Sequence, residues 1–334
     1  MEIKKTLLLE TTKNKWESKS VCNPTAIKYK NEIHLLYRGV DENSISSIGH
    51  AIIKNGKVKR FSQPVLFPEE DYEIKGVEDP RVTKIGNTFY LLYTAFDGEN
   101  ARIAYAVSNN LTKWEKKGVI SPNIKVNEAI KMVRERRYRK AWKRQKKSYP
   151  DSFLWDKDGV LFPEKINGRF TMLHRFKPEI QIVTFKDFSE LKKRRFWVDY
   201  IKNIHKHTIM KRKFKWESGF IGPGAVPIKI KNEWLLIYHA TKRLYYLLSR
   251  KDRADYIYTA GAVLLNSKRE LKRLSYPLFK PELDWEKEGS VNDVVFPEGA
   301  ILDGKNLKIF YGCSDRRIGM AELNIDELLK EIGQ

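Results

Sequence analysis

Cysteine is nearly absent from this 334-residue chain, with Cys22 and Cys313 the whole complement. Two cysteines make no disulfide framework, so a reducing compartment, the cytoplasm, is the simpler reading. No metal-ligand set accompanies them, and no metal is expected. Long apolar runs are missing too. No segment approaches the ~20 apolar residues of a membrane span. The leucines of MEIKKTLLLETTKNKW are too few for a signal-peptide core. Acidic residues are in deficit: 42 Asp and Glu against 64 Lys and Arg leave a net charge of +22. That excess implies acidic partners, an anionic substrate or a charged surface adaptation. An alternating β/α pattern is also lacking, which disfavours a Rossmann or barrel fold. The 41% hydrophobic content, with 12% aromatic, suffices for a real core and excludes global disorder.

What is present is one recurring unit. Gly76 to Gly98, GVEDPRVTKIGNTFYLLYTAFDG, reads as a short strand Val82 to Ile85, a Gly86-Asn87 turn and an aromatic-rich strand Thr88 to Ala95. Glu78, Asp79 and Arg81 stand where this hairpin enters, and Asp97 where it leaves. The pattern recurs from Pro24, Pro80, Pro163, Pro227 and Pro297: short strand, Asn/Gly-type turn, aromatic strand, polar residue, then a strand bearing small residues. Five all-β repeats predict a single five-bladed β-propeller over residues 1–334, with short helical insertions and a C-terminal helix. A β-sandwich with accidental similarity is the bland alternative. In a closed ring, Asn23 and Asp79 before first strands, and Arg38, Asp97, Arg175, His239 and Asp315 after second strands, face one channel mouth.

Insertions lie between the repeats. Over Lys125 to Tyr149, Val126, Ala129, Ile130, Val133, Ala141 and Trp142 fall at helical spacing, with Arg and Lys on the other face. A second basic stretch covers Lys192 to Lys215. No recognised nucleic-acid motif accompanies either, so a solvated helix face packed by its apolar stripe is preferred to nucleic-acid or anionic-membrane binding. Leu244 to Leu248 opens a further helical insertion, and Asn324 caps a terminal helix running to Ile332. The chain is compatible with a homo-oligomer.

The polar residues at the mouth suit a polyhydroxylated substrate with an anion beside it. Glycoside hydrolysis ordinarily needs two carboxylates, an acid and a base or nucleophile. With inorganic phosphate as nucleophile, a second carboxylate would repel the incoming anion; one acid and a cationic cradle suffice. Asp79 fits the acid, and Lys157, Arg175 and His239 the cradle. Each has a plainer reading: a turn cap for Asp79, a core histidine for His239, a blade-to-blade ion pair for Arg175, a surface lysine for Lys157. Asp97 is expected only to close its hairpin.

The chain resembles glycoside hydrolase family 130, five-bladed propeller enzymes that mostly phosphorylyse β-mannosides. The resemblance rests on Val77-Glu78-Asp79-Pro80-Arg81-Val82, Lys157 to Phe170, Met172 to Arg175, Trp234 to His239, Gly261 to Leu265, Val294 to Pro297 and Tyr311 to Asp315. It implies an inverting enzyme whose proton donor is Asp79, acting through a sugar hydroxyl. It further implies that Asn23, Arg38 and Asp315 hold the mannosyl ring of a β-mannoside oligosaccharide. Lys157, Arg175, His239 and Tyr258 match the phosphate site, with inorganic phosphate as co-substrate and no cofactor. One departure stands out: relatives often carry Lys where this chain has Phe220. Lys242 or Arg243 could compensate. Otherwise a hydrolase with Glu217 or Glu298 as base, a mannosyltransferase, or a non-catalytic carbohydrate-binding propeller would fit.

Overall fold

Apolar runs broken by two-residue turns fold as antiparallel meanders. Asn55-Gly56 and Asn167-Gly168 both take the positive φ that tight hairpin turns require. In the computed structural model, which describes residues 1–244 and 256–333, the chain is mostly β. The first strand, β1 (Lys4–Leu9), stands apart from its neighbours in sequence. The first meander is β2 (Ser20–Tyr29), β3 (Glu32–Val40), β4 (Ser46–Lys54) and β5 (Lys57–Arg60). The second is β6 (Gly76–Ile85), β7 (Thr88–Phe96), β8 (Ala101–Ser108) and β9 (Glu115–Val119). One parallel pairing, Ser46 with Gly76, joins these two into an eight-stranded sheet. Helices α1 (Val126–Met132) and α2 (Arg136–Ser148) then precede the third meander. It comprises β10 (Lys157–Leu161), β11 (Phe170–Arg175), β12 (Ile180–Phe185) and, after helices α3 (Phe188–Leu191), α4 (Arg194–Lys202) and α5 (Ile204–His207), β13 (Thr208–Met210). The fourth is β14 (Ile221–Pro223), β15 (Ile228–Ile230), β16 (Glu233–Arg243), β17 (Tyr256–Leu265) and β18 (Leu271–Arg273). Helix α6 (Asp284–Lys287) leads to β19 (Val295–Asp303), β20 (Asn306–Cys313) and β21 (Arg317–Asn324), and β1 pairs with β21 to complete this last sheet. Asn324 Oδ1 caps helix α7 (Ile325–Gly333) by accepting from the Asp326 N–H at 2.8 Å. The insertion expected at Leu244 to Leu248 falls, from Tyr245 onward, outside the described residues. No helix among the described residues is long and apolar enough to cross a membrane.

The core is divided among the gaps between meanders. Leu36, Ile48, Val82 and Leu91 fill the gap between first and second; Leu92, Ile103, Leu161 and Met172 that between second and third. Val160, Leu173, Leu236 and Val263 join third to fourth, and Leu235, Ala262, Val295 and Ile309 fourth to fifth. Leu35, Tyr37, Ile301 and Phe310 pack the fifth against the first, so the order closes on itself. The insertion brings its expected stripe, Val126, Ala129, Val133 and Trp142 with the partly buried Ile130 and Ala141, to the second gap, and Tyr138 joins it.

Two expectations about strand position need correction. Asn23 and Asp79 lie within first strands, not before them. Pairing skips from Cys22 to Thr25 and from Glu78 to Arg81, because Pro24 and Pro80 have no N–H for the ladder. The skipped residues form bulges in which Asn23 and Asp79 take φ of 50° and 49°. In the third repeat the first strand precedes Pro163, and its bulge residue is Asp158, with φ of 59°.

A buried lock repeats on the second strands. Tyr37, Tyr93, Tyr238 and Tyr311 each donate a hydroxyl hydrogen bond of 2.7–2.9 Å to Glu17, Glu73, Glu217 and Glu286. All four glutamates are fully buried. Each also meets a cation from an outer strand: Arg60, Lys116, Arg273 and Lys5 respectively. In the third meander His174 takes the tyrosine's place, its Nδ1 2.7 Å from Asp156 Oδ1. The lock fixes the middle or later part of each second strand, where the next residue in sequence is Arg38, Thr94, Arg175, His239 or Gly312. Successive side chains on a strand point opposite ways. Anchoring the tyrosine in the gap therefore aims its neighbour at the common centre.

Candidate active site

At that centre the bulge of β6 presents Asp79, and Arg81 braces it from behind. Arg81 is fully buried; its Nη1 donates to the backbone carbonyls of Asp79 and Pro80, both at 3.2 Å. Its Nε donates to Gly224 O at 2.6 Å, and its Nη2 lies 2.7 Å from Glu298 Oε1. One side chain thus ties the second meander to the fourth and fifth. A left-handed, buried carboxylate held this firmly is the kind of backbone strain that collects at functional sites.

The Asp79 carboxylate faces two cations. Oδ2 lies 2.9 Å from Lys157 Nζ, and Oδ1 3.6 Å from Arg38 Nη1. Arg38 also bonds Glu78 Oε1 at 2.7 Å and donates to Ser46 Oγ at 2.8 Å. Burial alone would raise the Asp79 pKa, but Lys157 and then Arg38 outweigh it and hold the carboxyl well below the usual range. Asp315 moves the other way. Burial, opposed by Arg38 and reinforced by Asp79, raises its pKa. Asn23 sits on the bulge beside Cys22, whose register partner is Arg38. Asn23, Arg38, Asp79 and Asp315 therefore gather in one place.

Lys157 opens β10 and pairs in register with Arg175, the last residue of β11. Arg175 Nε lies 2.5 Å from Asp158 Oδ2, and His239 Nε2 lies 3.6 Å from the same oxygen. Gly222 makes this approach possible, since a Cβ there would run into both Asp158 and His239. His239 is fully buried and stacks on Phe296 at 4.1 Å. Burial, then Arg175 and Arg81, lower its pKa well below the ordinary value. That shift favours the neutral imidazole, which offers a hydrogen bond in place of a charge. Tyr258 and Phe220 complete an aromatic wall, their ring centroids 5.9 Å apart.

A cavity of about 240 Å³ opens beside these residues, lined by Lys157, Arg175, Lys177, Phe220 and Tyr256. Its outer wall is helix α2, through Ala141, Trp142, Arg144 and Gln145. This corrects the reading of the basic insertion as merely a solvated face. Trp142 Nε1 donates to Lys177 O at 3.1 Å, which seats the helix directly over the end of β11. The same stripe that packs the helix therefore brings Arg144 to the cavity.

Several residues fall elsewhere. Asp97 accepts from the N–H groups of Glu99 and Asn100, closing its own loop as expected. Glu217 is consumed by the Tyr238 and Arg273 lock. Glu298 is fully buried against Arg81; burial, against Arg81's opposing pull, pushes its carboxyl up to about 8. Neither is placed to activate a water. Lys242 is exposed and lines no part of this cavity, and Arg243 lines a neighbouring one. Sequence reasoning passed over Lys177 and Asp158. Lys177 had one local signal: it is a second cation just past Arg175, the last residue of β11.

The chain matches, over residues 5–333, the family described as β-1,4-mannooligosaccharide phosphorylase. It is 34% identical to a 1,2-β-oligomannan phosphorylase from Thermoanaerobacter sp. (strain X514), over 97% of this chain and 96% of that protein. A β-1,2-mannobiose phosphorylase from the same organism is 30% identical over 97% and 96% of the two chains. Among solved structures, the β-1,2-mannobiose phosphorylase of Listeria innocua in complex with β-1,2-mannobiose superposes with a TM-score of 0.70. It is 22% identical and covers 94% of this chain and 92% of that one.

Proposed function

Because the chain belongs to glycoside hydrolase family 130, we propose that it catalyses inverting phosphorolysis of β-mannosides. A mannosyl disaccharide or oligosaccharide and inorganic phosphate become α-mannose 1-phosphate and the shortened acceptor. The names of the two Thermoanaerobacter relatives make β-1,2-linked mannosides the first substrates to try. The observation that carries the reading is the set of cations at the site: Lys157 lies 2.9 Å from the Asp79 carboxylate and lines one cavity together with Arg175 and Lys177.

In the reaction a phosphate oxygen attacks C1 of the mannosyl ring, and the C1–O bond to the acceptor breaks. The leaving oxygen takes a proton that originates on Asp79 and passes through a ring hydroxyl. Asn23, Arg38 and Asp315 hold that ring. Lys157 and Arg175 supply charge to phosphate, and His239 and Tyr258 supply neutral hydrogen bonds. Inorganic phosphate is the co-substrate, and no cofactor takes part. The five meanders are the blades of one five-bladed β-propeller spanning residues 1–334, a reading supported by the cyclic order of the core clusters. The free, buried thiols of Cys22 and Cys313 accord with a cytoplasmic location.

Phe220 favours one second reading, an inverting β-mannosidase, because it removes a cation from the phosphate side. The deciding experiment incubates β-1,2-mannobiose with the protein, with and without phosphate. Phosphate-dependent release of mannose 1-phosphate supports phosphorolysis. Free mannose at equal rates in both buffers would establish the hydrolase.

A further inference from the structure

The cavity wall holds more positive charge than the residues above account for. Lys157 is committed to Asp79 and Arg175 to Asp158. Lys177, between them and helix α2, has no carboxylate partner among the described residues. Its ammonium rests 4.2 Å from the centroid of the Phe220 ring, and the Arg175 guanidinium 4.7 Å from the same centroid. Both attractions are of the cation–π kind, and they hold two like charges side by side on one aromatic platform. The backbone beneath Lys177 is fixed by the hydrogen bond from Trp142 Nε1 to its carbonyl. Four cations, Arg144, Lys157, Arg175 and Lys177, line one cavity and repel each other. An oxyanion there would bridge them with charge-assisted hydrogen bonds.

We propose that Lys177 is a phosphate-binding residue that supplies, from the end of β11, the cation missing at position 220, with Phe220 as the platform that positions it. The proposal rests on the phosphorolytic reading and deepens it. The side chains at 220 and 177 touch and line the same cavity, so the cation is relocated, not lost. Enclosure, followed by Arg175 and Lys157, lowers the pKa of the Lys177 ammonium. A bound anion would reverse that and hold the proton in place. Helix α2 becomes part of the site, because it orients Lys177 and closes the cavity around it.

The test compares the parent protein with Lys177→Gln and Lys177→Arg. Inorganic phosphate is titrated by calorimetry, and phosphorolysis of β-1,2-mannobiose is followed as mannose 1-phosphate. Losing one charge-assisted contact should raise Kd and KM for phosphate about 10- to 100-fold in Lys177→Gln. KM for mannobiose should stay within about twofold, and Lys177→Arg should recover most of the phosphate affinity. Circular dichroism and thermal melting confirm that both variants fold. A parent that binds phosphate and forms mannose 1-phosphate, with Lys177→Gln unchanged in both phosphate constants, overturns the role of Lys177 alone. A parent that neither binds phosphate nor forms mannose 1-phosphate overturns the phosphorolytic reading and this proposal with it.

Discussion

Asp79 illustrates how much a single residue's neighbours decide. Asp followed by Pro and Arg at a strand entry was legible as a candidate because few structural needs explain that trio. Its conformation was not legible: only the skipped pairing around Pro80 shows that it occupies a left-handed bulge inside β6. The environment of His239 was likewise hidden, because its burial and the proximity of Arg175 arise from other strands. Asp79→Asn should keep the fold and ligand binding but lower kcat about 10²- to 10⁴-fold, as loss of a general acid does. Steady-state kinetics beside a melting curve would show this; near-parent turnover would return Asp79 to the status of a turn residue.

At the scale of elements, the hairpins were readable because a two-residue period and Asn/Gly turns are local signals. The Tyr–Glu locks were not, since each glutamate comes from a short helical turn ahead of the meander and meets its tyrosine only after folding. That is why Glu217 looked available as a base. Its loss should act on stability: Glu217→Ala leaves Arg273 and the Tyr238 hydroxyl buried without their acceptor. A cost of about 3–5 kcal/mol is expected from breaking such a buried pair, read by denaturant unfolding, with KM for phosphate unaltered in the surviving native fraction. Helix α2 carries a complementary expectation. Arg144→Glu should raise KM for phosphate several-fold because Arg144 lines the cavity, whereas Lys147→Glu, absent from its lining, should leave it unchanged. Equal effects from both would mean that only the overall field of the helix matters.

For the whole molecule, the decisive contact is between the two ends of the chain. Strand β1 pairs with β21, and Lys5 Nζ reaches the buried Glu286 Oε2 at 3.0 Å. Removing residues 1–9 exposes the edge of β21 and strands Glu286 without its cation. A fall in Tm on the order of 10 °C is expected for a loss of several kcal/mol in a protein of this size. An unchanged melting curve would show that the last sheet is stable without β1. The repeat, and hence the all-β class, was legible from five ordered matches. The closing strand was not, because a lysine-rich hexapeptide shows none of the turn and aromatic signals of the others.

The short contact between Lys157 and Asp79 has a consequence for timing. The Lys157 ammonium beside Asp79 favours the ionised carboxylate, whereas a general acid must carry a proton. On the proposed reading, phosphate would compete with Asp79 for Lys157, and the released carboxyl would take up a proton from solvent. Nucleophile and acid would then be armed together, and water without phosphate would meet a carboxylate with no proton to give. Linkage makes the coupling reciprocal. Phosphate binding should therefore be accompanied by proton uptake, visible as a binding enthalpy that changes with the ionisation heat of the buffer. Asp79→Asn should abolish that part of the dependence. A parent whose enthalpy varies with buffer no more than the variant's would show that its acid is already charged for the reaction before phosphate arrives.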